Sequence, residues 1–174
     1  SVLTDVEFFG GSAADLAAAR DACSLPVLRK DFTVSERDVC DARLMGADCV
    51  LLIAAALDQR ELESFLALAR RIGLDALVEI HDEPELERAI TAGADLIGVN
   101  QRDLVTFTVD TARAVRMAPQ MPAGVARVAE SGITGPADAA LLAEAGYHAV
   151  LVGEHLVTSG DPEAGVAALR RASR

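Results

Sequence analysis

The sequence predicts an α/β fold, a (β/α)8 TIM barrel in which seven of the strands are present. Three observations carry that expectation. Short apolar runs recur along the chain, amphipathic stretches with helical spacing separate them, and polar residues gather just after the runs.

The runs are Ser1–Thr4, Pro26–Arg29, Cys49–Ile53, Ala76–Ile80, Leu96–Val99, Ala126–Ala129 and Ala149–Val152. They lack the polar alternation of a half-exposed strand, so a parallel sheet covered by helices is expected. Between the first two runs, Ser12–Cys23 has helical spacing, with Ser12 followed by Asp15 as a cap. Leu62, Phe65, Leu66, Ala69 and Ile72 line one face of the next long helix. Asp82 starts another before Glu83-Pro84, where proline's missing N–H falls in the first turn. The helix-to-strand joins repeat as well: Met45-Gly46-Ala47-Asp48, Ile72-Gly73-Leu74-Asp75, Ala92-Gly93-Ala94-Asp95 and Ala145-Gly146-Tyr147-His148. Each places glycine just past a helix, where a left-handed residue belongs.

Units of this length suit either a doubly wound sheet or a closed barrel. The polar residues favour the barrel. Lys30-Asp31, Glu79-Ile80-His81, Asn100-Gln101-Arg102-Asp103, Glu130-Ser131-Gly132 and Gly153-Glu154 all follow strands, and barrel enzymes build their sites at that C-terminal rim. Seven strands are counted and the first begins at Ser1. Residues 1–174 are therefore expected to form one incomplete barrel domain, lacking its first β-strand and the helix before it. The strands at Ser1 and Ala149 would then present unpaired edges, which invite self-association.

Bulk properties narrow the function. The net charge of −11 disfavours nucleic acid and anionic membranes as partners, and obliges any anionic substrate to find local positive groups. No apolar stretch approaches the roughly 20 residues that span a bilayer, and no basic leader with a cleavage site is seen. Cys23, Cys40 and Cys49 are odd in number and form no CxxC pair, so neither a disulfide framework nor a zinc site is expected. They read as small buried thiols in a reducing cytoplasm.

Several segments read together resemble one family. They are Ser1-Val2-Leu3-Thr4-Asp5, Phe8-Phe9-Gly10-Gly11-Ser12, Pro26-Val27-Leu28-Arg29-Lys30-Asp31-Phe32, and Gly46-Ala47-Asp48 with Leu51-Leu52-Ile53. Leu77-Val78-Glu79-Ile80-His81, Ile97-Gly98-Val99-Asn100-Gln101-Arg102-Asp103-Leu104, Ala129-Glu130-Ser131-Gly132-Ile133 and Leu151-Val152-Gly153-Glu154 follow. In order and spacing they are similar to indole-3-glycerol-phosphate synthase of tryptophan biosynthesis, from the first residue nearly to the last.

The resemblance implies a carbon–carbon lyase. In that family 1-(2-carboxyphenylamino)-1-deoxyribulose 5-phosphate closes onto its own ring with loss of carbon dioxide and water. Cytoplasmic general acid–base chemistry and substrate positioning are implied, with no cofactor and no metal. The implied partner is a small anionic phosphorylated substrate, and the complete protein would be a monomer. Lys30 is the implied general acid, Glu79 a site carboxylate, and Asn100 a hydrogen-bonding group to substrate and a catalytic carboxylate. Arg102 offers its fork to a carboxylate or to Glu130, and Phe9, Phe32, Leu51 and Leu104 would receive the aromatic ring. Glu130, Ser131, Gly132, Gly153 and Glu154 fall where these barrels hold phosphate, with backbone N–H groups as donors. His81 is read as a loop histidine. Gln101 departs from the commonest pattern, which has a second asparagine there.

The family's Glu-x-Lys pair and Ser-Pro-Ser turn are absent, and Lys30 is the sole lysine. The chain by itself is therefore expected to show little or no synthase activity. Two alternatives stay open: another phosphate-binding barrel, such as phosphoribosylanthranilate isomerase or the tryptophan synthase α subunit, and a non-catalytic barrel fragment. Plainer roles also compete at single residues, among them a surface Lys30–Asp31 pair and simple turn chemistry at Asn100.

Overall fold

The structure, a computed structural model, describes residues 1–172. Ser173 and Arg174, counted above in the single domain, lie outside the described residues. The strands are β1 (Val2–Leu3), β2 (Leu28–Lys30), β3 (Cys49–Ile53), β4 (Asp75–Ile80), β5 (Leu96–Asn100), β6 (Ala126–Glu130) and β7 (Ala149–Leu151). The helices are α1 (Ala13–Ala22), α2 (Glu36–Leu44), α3 (Gln59–Arg71), α4 (Glu83–Thr91), α5 (Arg113–Met117), α6 (Pro136–Glu144), α7 (Glu154–Thr158) and α8 (Pro162–Ala172).

Two compact units are present: Ser1–Ile80 with Glu87–Ala94, and His81–Leu86 with the chain from Asp95 onward. In the first, β1, β2, β3 and β4 pair in chain order, every pair parallel. In the second, β5, β6 and β7 do the same. Parallel neighbours in sequence require a crossover between them, and the intervening helices supply it. The fold class is α/β, built from the βα repeat of a TIM barrel, with seven strands among the described residues.

The cores follow from the apolar runs. Val50, Leu51 and Leu52 of β3 and Leu77, Val78 and Ile80 of β4 are buried on both faces of the strands. Leu62, Phe65, Leu66 and Ala69 make the buried stripe of α3, while Ile72 caps its end and is half-buried. Asp58 and Glu61 close a reciprocal cap, each carboxylate accepting the other's backbone N–H at 2.8 Å. Ser12 accepts from the Asp15 N–H at 3.2 Å and Asp82 from the Glu85 N–H at 2.9 Å, starting α1 and α4 where the sequence placed them.

All four join glycines, at 46, 73, 93 and 146, have positive φ. In three of the four joins the last residue hands a hydrogen bond back to the base of the preceding strand. Asp48 N–H donates to Val27 O, Asp75 N–H to Asp48 O and His148 N–H to Arg127 O, each at 2.9 Å. The Asp48 carboxylate adds an acceptor for Val27 N–H at 2.7 Å. This explains why β2 begins at Leu28 rather than Pro26: proline has no N–H, and Val27 spends both backbone groups on the join. The thiols differ from expectation, since Cys23 at the end of α1 is exposed and Cys40 and Cys49 are only partly covered.

Candidate active site

In the first unit, strand register and alternation place Leu28, Lys30, Cys49, Leu51, Ile53, Leu77 and Glu79 on one face. Lys30 Nζ donates to Glu79 Oε2 at 3.3 Å, the lysine side chain being 25% exposed and the glutamate 2%. A carboxylate so deeply buried is costly unless charge and hydrogen bonds answer it, and the ammonium does so. Leu51 is fully buried on the same face.

The surface pairing of Lys30 with Asp31 does not occur. Successive strand residues point to opposite faces, and Asp31 turns away to meet Arg29 Nη2 at 2.8 Å and Thr4 Oγ1 at 2.5 Å. Phe9 and Phe32 are brought together, with ring centroids 6.2 Å apart and planes inclined by 28°, while Phe8 meets Phe32 edge-on at 5.8 Å. All three rings are substantially exposed. The loop carrying Phe8 and Phe9 folds tightly over β1, for a Cβ on Gly11 would sit 2.2 Å from Leu3 O.

In the second unit, Asn100 and Glu130 end adjacent strands as direct partners, and both are buried. Asn100 Oδ1 accepts the Arg102 N–H at 3.0 Å, and its carbonyl accepts Arg113 Nη1 at 2.9 Å, so turn chemistry is one of its roles. Residues 101–110 form a small hairpin, with Asp110 N–H donating to Gln101 O and Arg102 bridging Val109. Leu104 lies half-exposed on it. At its turn, Asp103 accepts from Thr106 and Val105 N–H, which holds its carboxyl below the usual range.

Arg102 does not spend its fork on Glu130. Its Nη2 meets Glu154 Oε2 at 2.7 Å, because the hairpin carries the guanidinium out to the start of α7. Ser131 and Gly132 both take positive φ after β6, and Gly153 caps α7 after β7. His81 follows β4 as a bend residue, its Nδ1 3.0 Å from Glu85 Oε2.

Two sets of contacts went unread in the sequence. Thr4, Arg29 and Asp31 form a buried polar ring behind Lys30. Gln101, buried, donates from Nε2 to Ser131 O at 2.8 Å and braces the turn at Ser131-Gly132. The signal for the ring was present: two charges at alternating positions of an apolar strand, each needing a partner.

A parallel βα repeat with charged and amide side chains at its strand ends defines the TIM-barrel class. A 3-hexulose-6-phosphate synthase from Salmonella typhimurium shares the fold, with a TM-score of 0.82 over 98% of this chain and 84% of that one at 16% identity. The family profile of indole-3-glycerol phosphate synthase matches residues 1–169. The chain belongs to the indole-3-glycerol phosphate synthase family. It is 55% identical over 97% of its length to the indole-3-glycerol phosphate synthase of Parafrankia sp. and 56% over 97% to that of Mycolicibacterium smegmatis. The chain spans 63% and 62% of those two proteins.

Proposed function

We propose that these residues contribute to an indole-3-glycerol-phosphate synthase, which closes 1-(2-carboxyphenylamino)-1-deoxyribulose 5-phosphate onto its ring with loss of carbon dioxide and water. The observation that carries the reading is the Lys30–Glu79 pair at 3.3 Å, an ammonium held by a buried carboxylate at adjoining strand ends. In this reading Lys30 protonates the substrate carbonyl and stabilises the developing alkoxide, and Glu79 orients it. Asn100 hydrogen-bonds the substrate, with Glu130 alongside as a further carboxylate. Phe9 and Phe32, already paired, supply an aromatic surface, and Leu51 and Leu104 are the further apolar residues of the assignment.

Arg102 takes the substrate carboxylate in place of Glu154. The backbone of Ser131, Gly132, Gly153 and Glu154 supplies phosphate donors in the loops after β6 and β7. In this reading the reaction belongs to the cytoplasm, as the family's biosynthetic role implies. No described helix is long and apolar enough to cross a membrane. Lys30→Ala in the protein expressed from its complete gene tests the assignment. Formation of indole glycerol phosphate, followed by its fluorescence, should fall about 10²–10⁴-fold. Turnover within a few-fold of the unaltered protein would remove Lys30 from the chemistry.

A further inference from the structure

Thr4, Arg29 and Asp31 make a closed ring of hydrogen bonds. Thr4 Oγ1 donates to Asp31 Oδ2 at 2.5 Å, Arg29 Nη2 donates to the same oxygen at 2.8 Å, and Arg29 Nε donates to Thr4 Oγ1 at 3.1 Å. The remaining groups are also engaged. Arg29 Nη1 donates to Asp38 O in the first turn of α2 at 3.0 Å, and Asp31 Oδ1 accepts the Phe32 N–H at 2.8 Å. Thr4 and Arg29 are 6% and 7% exposed. The ring thus ties the end of β1, the end of β2 and the start of α2 into one unit.

We propose that this ring is a positioning device for the Lys30 amine, a role that rests on Lys30 being the site's acid. Lys30 lies between Arg29 of β2 and Asp31 just past the strand's end, pointing to the other face. Its own carbonyl accepts the Thr4 N–H at 3.4 Å, so backbone and side chain of Thr4 grip both sides of the strand end. The Lys30–Glu79 contact, at 3.3 Å, is near the outer limit of a hydrogen bond and leaves little slack. The ring fixes the backbone from which the flexible lysine stem departs, and so narrows the positions its amine can take. The Asp31 carboxylate also fixes the Phe32 N–H, so one side chain sets the amine and the neighbouring ring together. Buried ion pairs often return little net stability over apolar residues of like size, which leaves geometry as the role this ring would serve.

Because Lys30 is the only lysine, its amine can be observed alone. Reductive methylation of the 174-residue chain with 13C-formaldehyde labels Lys30 and the terminal amine, which differ in chemical shift. An ammonium held against Glu79 gives two distinct N-methyl signals; a freely rotating one gives a single averaged signal. The unaltered chain and Thr4→Ser, which keeps the hydroxyl, should show two. Thr4→Val and Asp31→Asn should each collapse them to one while the far-ultraviolet circular dichroism is retained. Tyr147→Phe, which loses only the Tyr147 hydroxyl bond to Ala114 O in the other unit, controls for general loosening and should keep two. Two signals in folded Thr4→Val, or one in the unaltered chain, would overturn the proposal. The readout needs no turnover, so it fails independently of the Lys30→Ala assay.

Discussion

Gly132→Ala is expected to destabilise the second unit by an amount the geometry sets. Gly132 has φ of +69°, and a Cβ there would lie 2.5 Å from Val109 Cγ1 and 3.2 Å from Thr111 Cγ2. Left-handed backbone costs a residue with a side chain about 1–2 kcal/mol. Overlap with the hairpin adds about 1–3 kcal/mol, since Val109 is held by its bridge to Arg102. The sum is about 2–5 kcal/mol, or roughly 4–20 °C in Tm for a chain of this size. Two controls separate the contributions in a thermal melt. Gly10→Ala, with φ of +62° and nothing within 4 Å, isolates the backbone cost at about 1–2 kcal/mol. Gly153→Ala, with φ of −114° and nothing within 4 Å, should stay within about 0.5 kcal/mol. If Gly132→Ala melts with Gly153→Ala, the turn after β6 is not packed against the hairpin and the reasoning fails.

Other outcomes follow from the same structure. Burial pushes the Cys49 thiol up to about 12. The folded protein therefore keeps a proton that the unfolded chain loses above pH 9, and stability should decline between pH 9 and 12 by at most about 1.4 kcal/mol per unit from this group. Cys49→Ala should flatten that part of the denaturation profile; an unchanged slope would refute it. Thr134 donates to Asp138 from both its N–H and hydroxyl, depressing the carboxyl. Its contribution is full above the ordinary carboxylate pKa and fades as pH falls below it, so Asp138→Asn should lose stability at pH 7 and converge with the unaltered chain in acid. Glu154→Gln breaks an exposed ion pair and should cost less than about 1 kcal/mol by urea denaturation, with the difference shrinking in high salt.

The βα repeat was legible because burial on both faces leaves an unmistakable mark. Cys49–Ile53 has no polar residue in it, and the structure gives that strand the same bounds. The joins were legible because glycine at 46, 73, 93 and 146 answers a backbone demand that is local. Lys30 and Glu79 could be placed at strand ends, but their contact could not, for 48 residues separate two side chains that register alone brings together. Arg102 shows the opposite limit. Nothing in Asn-Gln-Arg-Asp announces the hairpin of residues 101–110, whose bonds pair Gln101 with Asp110 and carry the guanidinium to Glu154. The buried thiols were misjudged at Cys23 because composition cannot tell a helix end from a core.

The helix-to-strand joins have a consequence for recombination. The joins ending at Asp48, Asp75 and His148 return a backbone hydrogen bond to the strand before, a contact set by main-chain shape. A crossover between two related genes placed just after Asp48 or His148 inherits that bond whichever parent supplies the next strand. Chimaeras cut at these points should fold more often than those cut inside a helix. A library of hybrids within this family is best divided there, with whole strand–helix modules exchanged as single pieces.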